Sequence, residues 1–410
     1  MSMEQGSAAS SIAETETVSA EVRGQGQRGW RSALLPLVMC LPFFVRRVNL
    51  LRTPLPLHDF VTYWAAGKLF LAGQNPYSAT GMLAIERMLG WPYRETLVML
   101  NPPWALWLVA PLALLPFHTA HVLWLAVSLA LEAVCALALW RYFGGEPSQR
   151  WIALVVLATY LPAASAEHMG QITPVILCGL TGFLLAVNRE RYALAGVCLL
   201  LCGLKPNLVY LVLLAVLLWA VEQRHWKVLA AAALAAAATT LAAIGFNRGV
   251  MGYFHDTVNA AVQTPCGVGG ALRAIFGVQH VWLQFVPCVV GVAWFAGYWL
   301  RHHRAWQWQE RLPLLLLVSI GSAPYFWSHD FLVAIPAVIW LAIQVARARI
   351  WVMAGAAYLL VQVVIMSADN GNSKVWMALA SLLWIALYGL VLYLCKPAGG
   401  TKHGSAPAAV

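Results

Sequence analysis

In a chain this poor in charge, a few polar residues could do chemistry. His58 and Asp59 stand in PLHDFVTYWAAGKLFLAGQNPY, residues 56–77, directly after the first apolar segment. A carboxylate there is either a helix cap or a functional group, and the two are compatible, because a cap is rigidly aimed. Lys205, in CGLKPNL, separates two apolar runs. It either snorkels to lipid phosphates or binds one specific phosphate as a point charge. His329 and Asp330, in APYFWSHDFLVAIP, follow Phe326 and Trp327 at the mouth of another apolar segment. A hydrated interface histidine is the plainer reading, but the cluster repeats the His-Asp-Phe order of residues 58–60. Gly170-Gln171, in AEHMGQITP, offers close backbone approach and an amide for a polar ligand, or else simply a polar helix start. His255 and Asp256 read as solvated.

These residues need elements to position them. Pro54 and Pro56 break the segment before Asp59. Beyond it Phe60, Tyr63, Trp64, Gly67, Phe70 and Leu71 recur at helical spacing, with Lys68 off the stripe. The pattern predicts a short amphipathic helix lying in an interface plane, with Asp59 as its N-cap. It ends at Gly73, before an Asn75-Pro76 turn. Asn101-Pro102-Pro103 gives a fixed, extended approach to the next helix, a structural role.

The 410 residues are 61% hydrophobic and 10% charged, with 20 Trp, and the mean hydropathy is +0.71. So little charge excludes a single water-soluble core and predicts an all-α polytopic membrane protein of about ten to thirteen transmembrane helices. Continuous rather than alternating apolar runs exclude a β-barrel. The net charge of +10 is spread in small groups between apolar runs, as the positive-inside rule produces, and implies no nucleic-acid partner. Arg141 and Arg150, Arg189 and Arg191, Arg224 and Lys227, Arg301 to Arg311, and Arg347 with Arg349 mark alternate connections as cytoplasmic. Gln171, Lys205 and His329 then share the opposite, non-cytoplasmic side. Pro102, Pro103, Pro111 and Pro116 interrupt the stretch 98–117, which is either a crossing or a short or re-entrant helix. If it crosses, Asp59 falls on the wrong side of the other motifs.

The expected organisation is a disordered cytoplasmic tail over 1–29, one transmembrane domain over 30–395 and a flexible tail over 396–410. Within the domain, 52–97 forms a first outer loop with interfacial helices, and 246–280 a second long outer loop. The eight cysteines form no CxxC pair. Cys198 and Cys202 share a helix face without a histidine and read as packing residues. There is no phosphate-binding glycine loop, dinucleotide fingerprint, HExxH or zinc-ligand spacing, which disfavours a nucleotide-driven pump or metalloprotease. A transporter or lipid flippase is the alternative class, and a structural subunit without chemistry a third.

Together the motifs resemble glycosyltransferase family 87, integral membrane glycosyltransferases of the C type. The resemblance rests on Asp59-Phe60 with Tyr63 and Ala66, then Gly73 and Pro76-Tyr77. It continues with Pro102-Pro103, Ala120 and Trp124, Gly170-Gln171, Ala195-Gly196, Lys205-Pro206, and finally Trp327 and His329. It spans roughly residues 55–345. It implies a polyprenyl-phosphate-linked monosaccharide donor, mannosyl or arabinosyl, a lipid or glycan acceptor, and inversion without metal or cofactor. By carry-over Asp59 is the loop-one carboxylate, acting as general base, and His329 the late active-site histidine. Lys205 and His58 would meet the donor phosphate. Tyr63, Gln171, Asp330 and Trp327 would line the substrate. The site would open at the non-cytoplasmic face of the cell membrane, among membrane lipids. The acidic N-terminal tail, the last two segments and Asp330 directly after the histidine depart from the family pattern and bear on acceptor recognition.

Overall fold

The computed structural model describes residues 41–49, 58–260, 267–368 and 373–395. The two tails, and Pro54 and Pro56, lie outside the described residues. All described regular structure is helical. A helical segment, α1, covers 41–49. It is followed by α2 (Asp59–Leu71), α3 (Ala79–Met88), the short α4 (Leu106–Ala113) and α5 (Phe117–Tyr142). Then come α6 (Trp151–Thr159), α7 (Leu161–Met169), α8 (Thr173–Asn188), α9 (Tyr192–Cys202) and α10 (Tyr210–Glu222). The chain continues through α11 (Trp226–Phe246), α12 (Val250–Ala260), α13 (Val268–Phe276) and α14 (Val286–His302). It ends with α15 (Trp308–Gly321), a 3₁₀ turn (Ser328–Ala334), α16 (Ile335–Ala348), α17 (Trp351–Ala368) and α18 (Ser373–Leu394).

Among the described residues four helical stretches are long and apolar enough to cross a membrane: Phe117–Tyr142, Trp226–Phe246, Val281–Ala305 and Ser328–Ala348. The pair α6 and α7, bent by 57°, makes a fifth if counted as one broken span. Six further apolar helices are shorter. The chain is an all-α polytopic membrane protein. The expected ten to thirteen crossings are reached only if the short helices are counted too.

The bend has a local cause. Pro162 follows Leu161 at the start of α7 and has no N–H to continue the α6 ladder. The Leu161 N–H donates instead to Gln362 Oε1 of α17, 3.1 Å away. The Leu157 carbonyl accepts from the Arg47 guanidinium of α1. Without such partners, polar backbone freed at membrane depth costs several kcal/mol per group.

The opening stretch folds differently from its pattern. Asp59 is the first residue of α2, and His58 occupies the cap position without a side-chain cap bond. Ten of the 13 residues of α2 are buried rather than one stripe. The reason is α4, which lies across it. A Cβ on Gly67 would stand 2.8 Å from Ala113 Cβ and 3.1 Å from the Val109 carbonyl, so only glycine permits the approach. With eight residues, about 12 Å long, α4 cannot cross a hydrocarbon core of about 30 Å. Between 98 and 141 only α5 is long and apolar enough to cross, and Asp59 lies beside the later motifs, in contact with Gln171.

The connections separate into two ends of the bundle. At one, Arg347 donates to the Gly144 carbonyl at 2.7 Å, Gln309 to the Tyr142 carbonyl at 2.9 Å, and His303 meets Glu222 at 2.6 Å. At the other, Asn207 donates to the Tyr325 carbonyl and Asn101 to the Leu204 carbonyl, both at 2.9 Å.

Candidate active site

Four segments distant in sequence deliver one polar line. Asp59 opens α2. Gln171 follows the sharp end of α7, where Gly170 takes a left-handed φ of 68°. A Cβ there would stand 2.5 Å from Phe60 Cβ, so the corner packs directly on the residue after Asp59. Trp124 of α5 fixes the same corner, donating its indole N–H to the Gly170 carbonyl at 2.9 Å. Lys205 lies between α9 and α10. Its connection is held by Asn101, whose own carbonyl accepts from the Tyr77 hydroxyl at 3.0 Å. Asp330 sits in the 3₁₀ turn, which Tyr160, at the α6–α7 bend, anchors by donating to the Phe331 carbonyl at 2.9 Å.

Gln171 Nε2 donates to Asp59 Oδ2 in a short contact. Gln171 Oε1 accepts from Lys205 Nζ at 2.9 Å and from the Tyr63 hydroxyl at 3.4 Å. Lys205 Nζ also pairs with Asp330 Oδ1 at 2.9 Å. Asp330 Oδ2 accepts the Trp327 backbone N–H at 3.0 Å. The line is therefore Asp59, Gln171, Lys205, Asp330. Its inner members are enclosed, with Asp330 1% and Gln171 3% exposed. Asp59 and His58 remain half-buried. Burial, then the charges of Asp59 and Asp330, raise the Tyr63 phenol well above its ordinary value, so Tyr63 stays a donor. Burial and then Asp330 push Tyr325, beside the 3₁₀ turn, up to about 12.

Asp59, Tyr63, Gln171, Lys205 and Asp330 are thus linked through hydrogen bonds. His329 joins at the side, its Nε2 3.7 Å from Asp330 Oδ1. His58 faces His168, with ring centroids 6.4 Å apart, at the outer edge of the line. Trp327 touches the line through its backbone, while the residue is 43% exposed. The expected solvated pair His255 and Asp256 stands apart and exposed. Cys198 and Cys202 lie on α9 as free thiols. Among the described residues no three His, Cys, Asp or Glu side chains converge as metal ligands.

Sequence reasoning missed the supports, Tyr160 above all, and a second polar cluster. Arg47 of α1 contacts Glu167 of α7 and stands 3.4 Å from Glu132 of α5, all three buried. A lone glutamate inside the apolar run of α5 was the available signal.

The chain is thus a multi-pass helical membrane protein with a polar line at one end of its bundle. The profile of glycosyltransferase family 87 matches residues 99–326, more than half of the chain, and the chain belongs to that family. The match takes in Gln171 and Lys205, starts beyond Asp59 and stops just short of Trp327. Over 261 residues the chain is 29% identical to a polyprenol-phosphate-mannose-dependent alpha-(1-2)-phosphatidylinositol pentamannoside mannosyltransferase of Mycolicibacterium smegmatis (strain ATCC 700084 / mc(2)155). The similarity covers 58% of this chain and 60% of that protein, less than two thirds of its length. No solved structure matches.

Proposed function

We propose that the chain is an inverting transferase. It moves one monosaccharide, a mannose-like hexose or an arabinose, from a polyprenyl-phosphate carrier to a lipid or glycan acceptor. The observation that carries this reading is the line from Asp59 through Gln171 to Lys205, which sets a carboxylate and a cation one amide apart. Family membership supports the reaction class, and the relative's dependence on polyprenol-phosphate-mannose supports the donor.

Asp59 takes the acceptor hydroxyl proton as its oxygen attacks the anomeric carbon. The new glycosidic bond forms as the bond to the phosphate oxygen breaks, and single displacement inverts the centre. The carrier leaves as a phosphate monoester with one more negative charge. Lys205 stands where it can meet that charge, with His329 and His58 as the further phosphate-facing groups. A single gained charge is within reach of one lysine. The exposed Trp327 offers a surface for the sugar ring, while the buried Tyr63 braces Gln171 through its hydroxyl. The arginine-rich connections at the opposite end of the bundle support a cytoplasmic side there, and with it a site that opens on the non-cytoplasmic face of the cell membrane.

The test is incubation of purified protein with a panel of radiolabelled polyprenyl-phosphate sugars and lipid acceptors. The expected result is a covalent glycosylated product from one donor. Movement of labelled lipid across vesicles without a covalent product contradicts the reading and favours a flippase.

A further inference from the structure

We propose that Gln171 is a positioning residue rather than a substrate contact: its amide, locked in one orientation, holds the base and the phosphate-binding cation apart and in register. The inference rests on Asp59 serving as the base.

The orientation follows from the partners. A lysine ammonium only donates, so the amide atom 2.9 Å from Lys205 Nζ must be the oxygen. The Tyr63 hydroxyl points at the same oxygen. An ionised carboxylate only accepts, so the amide atom facing Asp59 must be the NH₂. Lys205 and Asp59 independently demand the same setting, and the Tyr63 hydroxyl, which can donate, fits it. The amide is 3% exposed and follows the Gly170 corner packed on Phe60, so neither its backbone nor its side chain has room to turn to solvent.

Its chemical consequence is separation. Placed in direct contact, Asp59 and Lys205 would form an ion pair that weakens the carboxylate as a base and occupies the cation. Here the ion pair of Lys205 is with Asp330, and a neutral amide stands between Lys205 and Asp59. When a donor phosphate approaches Lys205, the same amide transmits the change to Asp59. A glutamine fits because its two ends have opposite polarity and no net charge.

Other titratable groups surround the amide. His58 and Tyr63 come from α2, His168 from α7, and His329 and Asp330 from the 3₁₀ turn. His121 of α5 stacks on Phe60.

The experiment compares Gln171→Glu and Gln171→Leu with wild type, in purified protein checked for monodispersity. In Gln171→Glu a second carboxylate beside Asp59 raises the pH at which the base is free, so the acid limb of the kcat profile moves up by about one pH unit. In Gln171→Leu, similar in size but without hydrogen bonds, kcat falls by ten- to a hundredfold while KM for the donor changes less than threefold. An unmoved acid limb in Gln171→Glu overturns the inference, as does a Gln171→Leu enzyme with raised donor KM and intact kcat. If the leucine variant does not fold, the glutamate profile alone decides. Asp59→Asn separates the levels. If it retains activity, the base assignment itself fails. If it is inactive while the Gln171→Glu limb stays put, only the role given to Gln171 fails.

Discussion

Two charged clusters lie inside the helical bundle, and they are built on opposite plans. In one, Arg47 contacts Glu167, stands 3.4 Å from Glu132 and caps the Leu157 carbonyl, with all three side chains less than 10% exposed. In the other, a neutral amide stands between Asp59 and Lys205, the lysine side chain is 16% exposed, and Asp59 is half-buried. The first is sealed from solvent, with one arginine shared by two acidic side chains, and it holds a broken helix. The second leaves a carboxylate and a cation within reach of a ligand. Ionisable groups at membrane depth are functional candidates by default. The contrast lies in one group: in the brace each carboxylate faces the arginine, whereas in the second cluster Lys205 pairs with Asp330 and Asp59 is held off the cation by an amide. The two are linked through α7, which carries Glu167 in the brace and ends at the corner that delivers Gln171.

Neutralisation separates them most strongly. Arg47→Met strands two buried carboxylates and lowers stability by about 3 to 5 kcal/mol, read from thermal unfolding in detergent. Arg47→Met combined with Glu132→Gln and Glu167→Gln recovers most of that stability and also much of the activity. In the site, Lys205→Met strands Asp330, and adding Asp330→Asn restores stability. Sugar transfer by that double variant nevertheless stays at least about a hundredfold below wild type, because no cation meets the departing phosphate. Recovery of transfer in the double variant would break the distinction.

Gln362→Leu is a smaller perturbation. It leaves the Leu161 N–H at the α6–α7 bend without an acceptor and lowers stability by about 1 to 3 kcal/mol, with a measurable fall in kcat as Gln171 shifts. The smallest effect lies outside both clusters. Burial raises the Glu86 carboxyl of α3 above its ordinary value, with the Thr96 hydroxyl partly offsetting this. A carboxyl held higher in the folded than in the unfolded chain stabilises the fold at low pH. That contribution starts to fade above the ordinary value of 4.5 and is lost as pH rises through the raised value. The melting temperature should therefore drop over that window, and Glu86→Gln should flatten the drop.

Much of this was legible in the sequence. The apolar runs gave the class, and the polar residues that interrupt them, Asp59, Gln171, Lys205 and Asp330, proved to be neighbours. Proline and glycine marked where helices would end. What stayed hidden was pairing at a distance. Nothing near Gln171 says that its amide spans Asp59 and Lys205, or that Asp330 faces a lysine rather than a substrate. Helical periodicity suggested a one-sided α2, because a stripe of aromatics looks the same whether the opposite face meets water or another helix. The brace was hidden for the same reason: nothing around Arg47 says that α1 packs against α5 and α7.

The central claim is that Asp59 removes the proton from the incoming acceptor. Its most direct test is the single-turnover rate of Asp59→Asn with a polyprenyl-phosphate sugar, in protein whose melting temperature matches wild type. Asparagine keeps the size and the polar contact to Gln171 but cannot take up the proton. The rate should fall by about 10²- to 10⁴-fold with donor binding retained. A rate within a few fold of wild type would remove the base from this account.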